Sequence, residues 1–164
     1  MIKVAVTNLQ AYNDGELIFE WLKIPFTQIE IQKVFEAIGS ERYFISDYEC
    51  EMFHVRINEY DDLNVLNELC EQISELDSFE LIELQAISEI YSNSLNEAFE
   101  ILNNNDFTLY ETESMEELAE MLVDEGCFGE IPTAIENYID YEKIARDLEF
   151  DGYTKTSYGI IIFY

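Results

Sequence analysis

Basic side chains are scarce in this sequence, and over one long stretch they are missing. The chain of 164 residues has 8 Lys and Arg and one His against 36 Asp and Glu, for a formal net charge of −28. Between Ile57 and Glu142 there is no Lys, Arg or His, yet those 86 residues carry 24 of the carboxylates. A surface of that sign repels nucleic acid and anionic membranes alike, so neither is expected as a partner. His54 is the only imidazole, and a lone His among apolar neighbours reads as structural. The six glycines are scattered singly, and no GxGxxG, GxxxxGK, HExxH or GxSxG pattern occurs. Three cysteines, Cys50, Cys70 and Cys127, are odd in number and form no CxxC pair. They read as reduced, mostly buried thiols. No apolar run approaches the roughly 20 residues that cross a bilayer. Met1–Val6 is too short for a signal peptide, so a cytoplasmic location is expected.

What is present builds a core. Hydrophobic residues make up 48% of the chain and aromatics 14%, far above the composition that leaves a chain disordered. The carboxylates are patterned against ordinary helix design. Glu68, Glu71 and Glu75 share one helical face, as do Glu116, Glu120 and Asp124. Each like-charge pair at that spacing costs a few tenths of a kcal/mol, where a Lys would have been favourable. A sequence that keeps this repulsion has a use for it.

The periodicities predict an α+β chain of three small units. Residues 1–60 read as an N-terminal α+β unit. Its strands are expected at Ile2–Val6, Glu16–Ile24, Tyr43–Ser46 and Met52–Ile57, with a turn at Asn13-Asp14-Gly15. Thr27 with Glu30 forms a capping-box signature for a helix whose stripe is Ile31, Val34, Phe35 and Ile38, ended by Gly39. Residues 61–103 read as a central acidic helical unit, with Leu63, Leu66, Leu69, Cys70, Ile73 and Leu76 at three- and four-residue steps. Further helices are expected after Ser78 and Ser94. Asn103-Asn104-Asn105-Asp106 marks a linker. Residues 104–164 read as a C-terminal α+β unit with a strand at Phe107–Glu111. Its helices are expected from Ser114 to about Glu125 and over Ile135–Leu148, with Pro132 in a first turn. A terminal hairpin turns at Ser157-Tyr158-Gly159. The last strand, Ile160–Tyr164, is too apolar for an exposed edge, so helices or a second subunit must cover it.

Several functions compete for this pattern. With 36 carboxylates, some pair satisfies any glycosidase spacing, so an acid pair carries no information. No catalytic residue is assigned and no enzyme activity is expected. Calcium and magnesium prefer oxygen ligands, but the EF-hand spacing is absent and Glu outnumbers Asp by 26 to 10. No metal site and no cofactor are expected. A salt-adapted surface would spread acids over the whole chain and does not account for a zone without bases. The remaining reading is imitation of phosphates. Duplex DNA carries one charge per about 1.7 Å, so 28 charges correspond to roughly 48 Å of duplex, about 14 base pairs. Thin helical modules joined end to end can lay carboxylates along such a length.

The residues also resemble a known family. Thr7-Asn8-Leu9, then Tyr12-Asn13-Asp14-Gly15-Glu16-Leu17 with Trp21 and Pro25, resembles the start of the ArdA antirestriction proteins. Gly129-Glu130-Ile131-Pro132, Asn137-Tyr138-Ile139-Asp140-Tyr141-Glu142 and Ala145-Arg146-Asp147-Leu148 are very similar to that family's C-terminal signature. Asn58–Asn105 matches chiefly in acidity and helical character. The resemblance implies a bacterial cytoplasmic DNA mimic carried by a conjugative element. It implies binding to a type I restriction-modification enzyme, chiefly its methyltransferase core. It also implies three domains in an elongated, curved arrangement, paired as a homodimer through the C-terminal domain. The family's antirestriction motif falls on about Leu122–Pro132. The carboxylates expected to stand in for phosphates are Asp61, Asp62, Glu68, Glu71, Glu75, Glu80, Glu83, Glu113, Glu116, Glu117, Glu120, Asp124, Glu125 and Glu130. An acidic scaffold capping another basic nucleic-acid-binding protein fits the charge equally well; the family motifs alone favour the restriction enzyme.

Overall fold

A computed structural model describes residues 2–91 and 94–164. Among them the chain is mixed α+β, with seven α-helices and two three-stranded antiparallel sheets. The first sheet has the order β2-β1-β3, from β1 (Ile2–Asn8), β2 (Phe19–Ile24) and β3 (Tyr43–Cys50). Ile2, Val4 and Val6 of β1 align with Ile24, Leu22 and Glu20 of β2. This face is covered by α2 (Gln28–Ile38), whose Ile31, Val34 and Ile38 are buried. The expected capping box is formed: Thr27 Oγ1 accepts from Glu30 N–H, and Glu30 Oε2 accepts from Thr27 N–H at 2.7 Å.

Two expectations in this region need correction. Asn8 caps a short helix, α1 (Leu9–Asn13), accepting from Ala11 N–H at 2.9 Å, so the second strand starts at Phe19 and not at Glu16. Met52–Ile57 forms no strand. Its alternation is genuine, with Phe53 and Ile57 buried, but it has no strand to pair with. β1 begins at Ile2, opposite Cys50. Side chains serve the segment's carbonyls instead: Gln85 Nε2 donates to Met52 O and Tyr48 Oη to Val55 O.

The central helices are α3 (Leu63–Ile73), α4 (Ser78–Ile90) and α5 (Leu95–Asn104). Asp62, Asp77 and Ser94 cap them, Asp77 in a full capping box with Glu80. Asn105 ends α5 in the left-handed region, φ 55°. One buried cluster runs from Ile2, Val4 and Ile24 through Leu63, Leu84, Ile87, Ala98 and Phe99 to Phe107 and Ile161. The N-terminal sheet and the central helices therefore share a core.

The second sheet has the order β4-β6-β5, from β4 (Phe107–Tyr110), β5 (Thr154–Thr156) and β6 (Gly159–Phe163). The expected hairpin turns at Ser157-Tyr158 and places the apolar strand in the middle of the sheet. Ile161 faces the long cluster, whereas Ile160 joins Leu118, Ala119, Leu122, Ala145 and Leu148 in a second one. That second cluster lies between β6 and the pair α6 (Met115–Asp124) and α7 (Tyr141–Phe150). Helices thus cover the last strand on both faces. The long helix expected over Ile135–Leu148 is broken. Glu136–Tyr138 is a single 3-10 turn, and Asp140 starts α7 as its cap, accepting from Lys143 N–H at 3.2 Å. Asp competes for backbone donors in this way and so favours caps over helix interiors. Pro132 opens no helix. Among the described residues no helix is long and apolar enough to cross a membrane.

Candidate partner-binding surface

The acidic surface is built by amphipathic helices that bury one stripe and leave the other to carboxylates. In α3, burial of Leu63, Leu69, Cys70 and Ile73 turns Glu68 and Glu71 outward, and Glu75 follows just beyond the helix. In α6, burial of Leu118, Ala119, Leu122 and Val123 does the same for Glu116, Glu117, Glu120 and Asp124. Of the carboxylates singled out in the sequence, Asp61 and Glu83 are half-buried and the others exposed.

Compensation is nearly absent. Among the described residues two ion pairs form, Lys3–Glu49 at 3.1 Å and Lys143–Asp140 at 2.6 Å, and neither uses a singled-out carboxylate. Some of those groups do have local duties. Asp61 accepts from Asn58 N–H at 2.8 Å, Asp62 caps α3, Glu80 completes the cap of α4, and Glu117 accepts from Glu113 N–H at 2.9 Å. Glu71 accepts from Asn67 Nδ2 at 2.9 Å, while Asn67 Oδ1 accepts from Phe26 N–H at 2.6 Å. One side chain thereby joins the end of β2 to the acidic face of α3. Glu68, Glu75, Glu116, Glu120, Asp124, Glu125 and Glu130 have no such engagement among the described residues and are exposed.

Burial raises the pKa of Glu83 above the ordinary 4.5, and repulsion from Glu80 and Asp77 adds to it. Glu30 shows the opposite direction, lowered first by its hydrogen bond with the Thr27 backbone. Among the described residues no group of three or more His, Cys, Asp or Glu is placed to hold a metal ion.

Leu122–Pro132 leaves the end of α6 and turns twice at positive φ, 78° at Gly126 and 89° at Gly129. Asp124, Glu130 and Glu136 line a cavity of about 560 Å³ beside this loop. Its tip, Cys127-Phe128, is exposed, so Cys127 is not the buried thiol expected from composition; Cys70 is buried and Cys50 half-buried. Burial pushes the Cys70 thiol up to about 11.

A family described as Antirestriction protein (ArdA) matches residues 4–161. The chain belongs to the ArdA antirestriction family. The match reaches both sheets and all seven helices, including the central segment, Asn58–Asn105, where the resemblance rests chiefly on acidity and helical character. No curated protein matches the chain. Membership makes it an antirestriction protein that acts on restriction-modification enzymes.

Sequence reasoning missed one contributor to the surface. Glu89 of α4 accepts from Ser157 N–H at 2.8 Å and pins the central helices to the β5–β6 turn. Nothing in the local pattern marks it, because its partner lies 68 residues away.

Proposed function

We propose that this ArdA protein is a non-catalytic DNA mimic. Its carboxylates occupy the DNA-binding groove of a type I restriction-modification enzyme, chiefly on the methyltransferase core, and block access by duplex. The observation that carries this reading is the lack of compensation: 36 carboxylates against 8 Lys and Arg, with two ion pairs among the described residues. Carboxylates left solvated and unpaired are available to the Lys and Arg side chains that line a groove made for phosphates. Binding is distributed over Glu68, Glu71, Glu75, Glu116, Glu120, Asp124 and their neighbours, with no indispensable pair. The cytoplasm, where such enzymes meet incoming DNA, is the site of action.

Three units, 1–60, 61–103 and 104–164, would arrange these faces along a curved rod. Pairing through the C-terminal unit would lengthen the rod. Support for that contact comes from the exposed apolar residues Phe128, Ile135, Tyr138, Phe150 and Tyr164, of which Tyr138 is 84% exposed. Competition tests the reading. Labelled target duplex is bound to a purified type I methyltransferase core, and the protein is titrated in. Release of DNA near stoichiometry is expected. Failure to release it at any ratio would contradict the proposal and leave another basic groove as the target.

A further inference from the structure

The open edge of β2 is unlike the rest of the surface. Asn8 N–H donates to Ile18 O at 2.9 Å, and the register continues from there through Val6–Glu20, Val4–Leu22 and Ile2–Ile24. Hydrogen-bonded pairs in an antiparallel ladder recur every second residue. Glu20, Leu22 and Ile24 therefore direct their backbone groups at β1, and Phe19, Trp21 and Lys23 direct theirs away from it. Among the described residues no backbone hydrogen bond occupies these outward groups. The other edge of the sheet is treated differently. The β1–β3 register shifts at Ala5/Val6, and Ile45 N–H donates to Glu59 O. β2 has no bulge against β1 and no cover, and it exposes Phe19 (44%) and Trp21 (38%). An edge of this kind is a template for another strand.

Charge selects the strand. A groove of about 430 Å³ runs along this edge between β2 and α2, lined by Glu20, Trp21, Lys23, Glu30, Lys33 and Ala37 among others. Two Glu and two Lys border this edge, Glu20, Glu30 and Lys33 on the side of α2 and Lys23 on the sheet face it shares with Lys3, so the edge is balanced in charge on a molecule whose net charge is −28. Lys23 also sits directly opposite Lys3, which is already paired to Glu49. This arrangement leaves Lys23 repelled on its own sheet and without an ion pair among the described residues.

The geometry points to a second copy of this chain as the occupant, with β2 pairing antiparallel to β2 across a twofold axis at Leu22. A twofold normal to the sheet keeps like faces together, so pairing must join odd to odd residues, and these are the ones with free backbone groups. In this register Trp21 lies opposite Lys23 of the second copy, and the reverse, giving about four backbone hydrogen bonds. Each Lys23 ammonium comes beside an indole, a favourable cation–π pairing. Glu20 lies opposite Ile24 of the second copy, at the end of the groove that holds Lys23 and Lys33. Over the acidic faces of α3 and α6 two such molecules would meet acid to acid; here each brings a cation toward an acid. The contact is separate from the C-terminal one proposed above and would link such dimers through their far ends.

Trp21 is the sole tryptophan, so its fluorescence reports this contact and no other. With rising concentration of the full chain, emission should shift to the blue. Acrylamide quenching should fall by roughly twofold, in step with a rise in mass beyond that of the C-terminal dimer. Lys23→Glu should abolish all three while circular dichroism stays unchanged; Phe128→Glu should leave the fluorescence changes intact. Added salt should strengthen this association, because it screens repulsion between two acidic molecules, whereas it should weaken binding to the restriction enzyme. The two readings therefore fail separately. Emission and quenching independent of concentration in the folded protein would overturn the proposal, as would changes that persist in Lys23→Glu. It would be overturned equally if dilute protein showed the changes only on adding the methyltransferase core, since the edge would then take the enzyme.

Discussion

Glu68 and Glu83 sit on consecutive helices, yet their carboxylates meet different surroundings. Glu68 stands in solvent with no partner among the described residues, whereas Glu83 is half-buried beside Glu80 and Asp77. A carboxyl whose pKa is raised on folding stabilises the protein below the unfolded value, about 4.5. That contribution is lost as pH rises through the folded value. At neutral pH Glu83 is therefore a cost. Glu83→Gln should raise the thermal midpoint at pH 7 by up to a few degrees and lose that advantage on acidification toward pH 4.5. Equal midpoints for both proteins at pH 7 would show that solvent screens the repulsion. Gly159 illustrates a backbone demand instead. Its φ is 138°, and a Cβ there would overlap the Tyr110 carbonyl oxygen on the neighbouring strand. Gly159→Ala should cost about 1–3 kcal/mol of stability, measurable by urea unfolding.

At the scale of elements, much was legible because the signals were local. The caps Thr27, Ser94 and Ser114, the stop at Gly39, and the stripes of α3 and α6 all lie within a few residues of what they control. The errors came where partners are distant. Met52–Ile57 alternates like a strand and buries Phe53 and Ile57, but the position of β1 leaves nothing for it to pair with. Ile135–Leu148 keeps an apolar period across a break that Asp140 makes by taking a backbone donor. The acidic faces were readable for the same reason as the caps, since three-, four- and seven-residue spacing fixes which side of a helix a carboxylate occupies. That sets the element-scale prediction. Glu68→Gln should weaken binding to the methyltransferase core by about fivefold or less, in the range of one exposed ion pair. Reversing Glu68, Glu71 and Glu75 together to Lys should weaken it by about tenfold or more. A tenfold loss from the single change would indicate a discrete hot spot in place of a distributed face.

For the whole molecule, net charge and core pull in opposite directions. Self-repulsion at −28 works against compactness, and a core threading from the N-terminal sheet through the central helices to β4 and β6 holds the chain against it. That continuity was not visible in the sequence, where Asp61 and Asn103–Asp106 look like boundaries. It arises from contacts such as Ile2 with the helical cluster and Ile161 with α4, whose partners are many tens of residues apart. The charge itself was legible from composition, and its lack of compensation required coordinates.

The central claim, that unpaired carboxylates replace phosphates in the enzyme's groove, is most directly tested by measuring the Kd for a type I methyltransferase core across a series of salt concentrations, with and without target duplex. Attraction between many exposed charges is screened over about 8 Å at physiological ionic strength. The account predicts affinity that falls steeply with salt and binding that excludes duplex. Affinity that holds into high salt, or a ternary complex that retains the DNA, would contradict it.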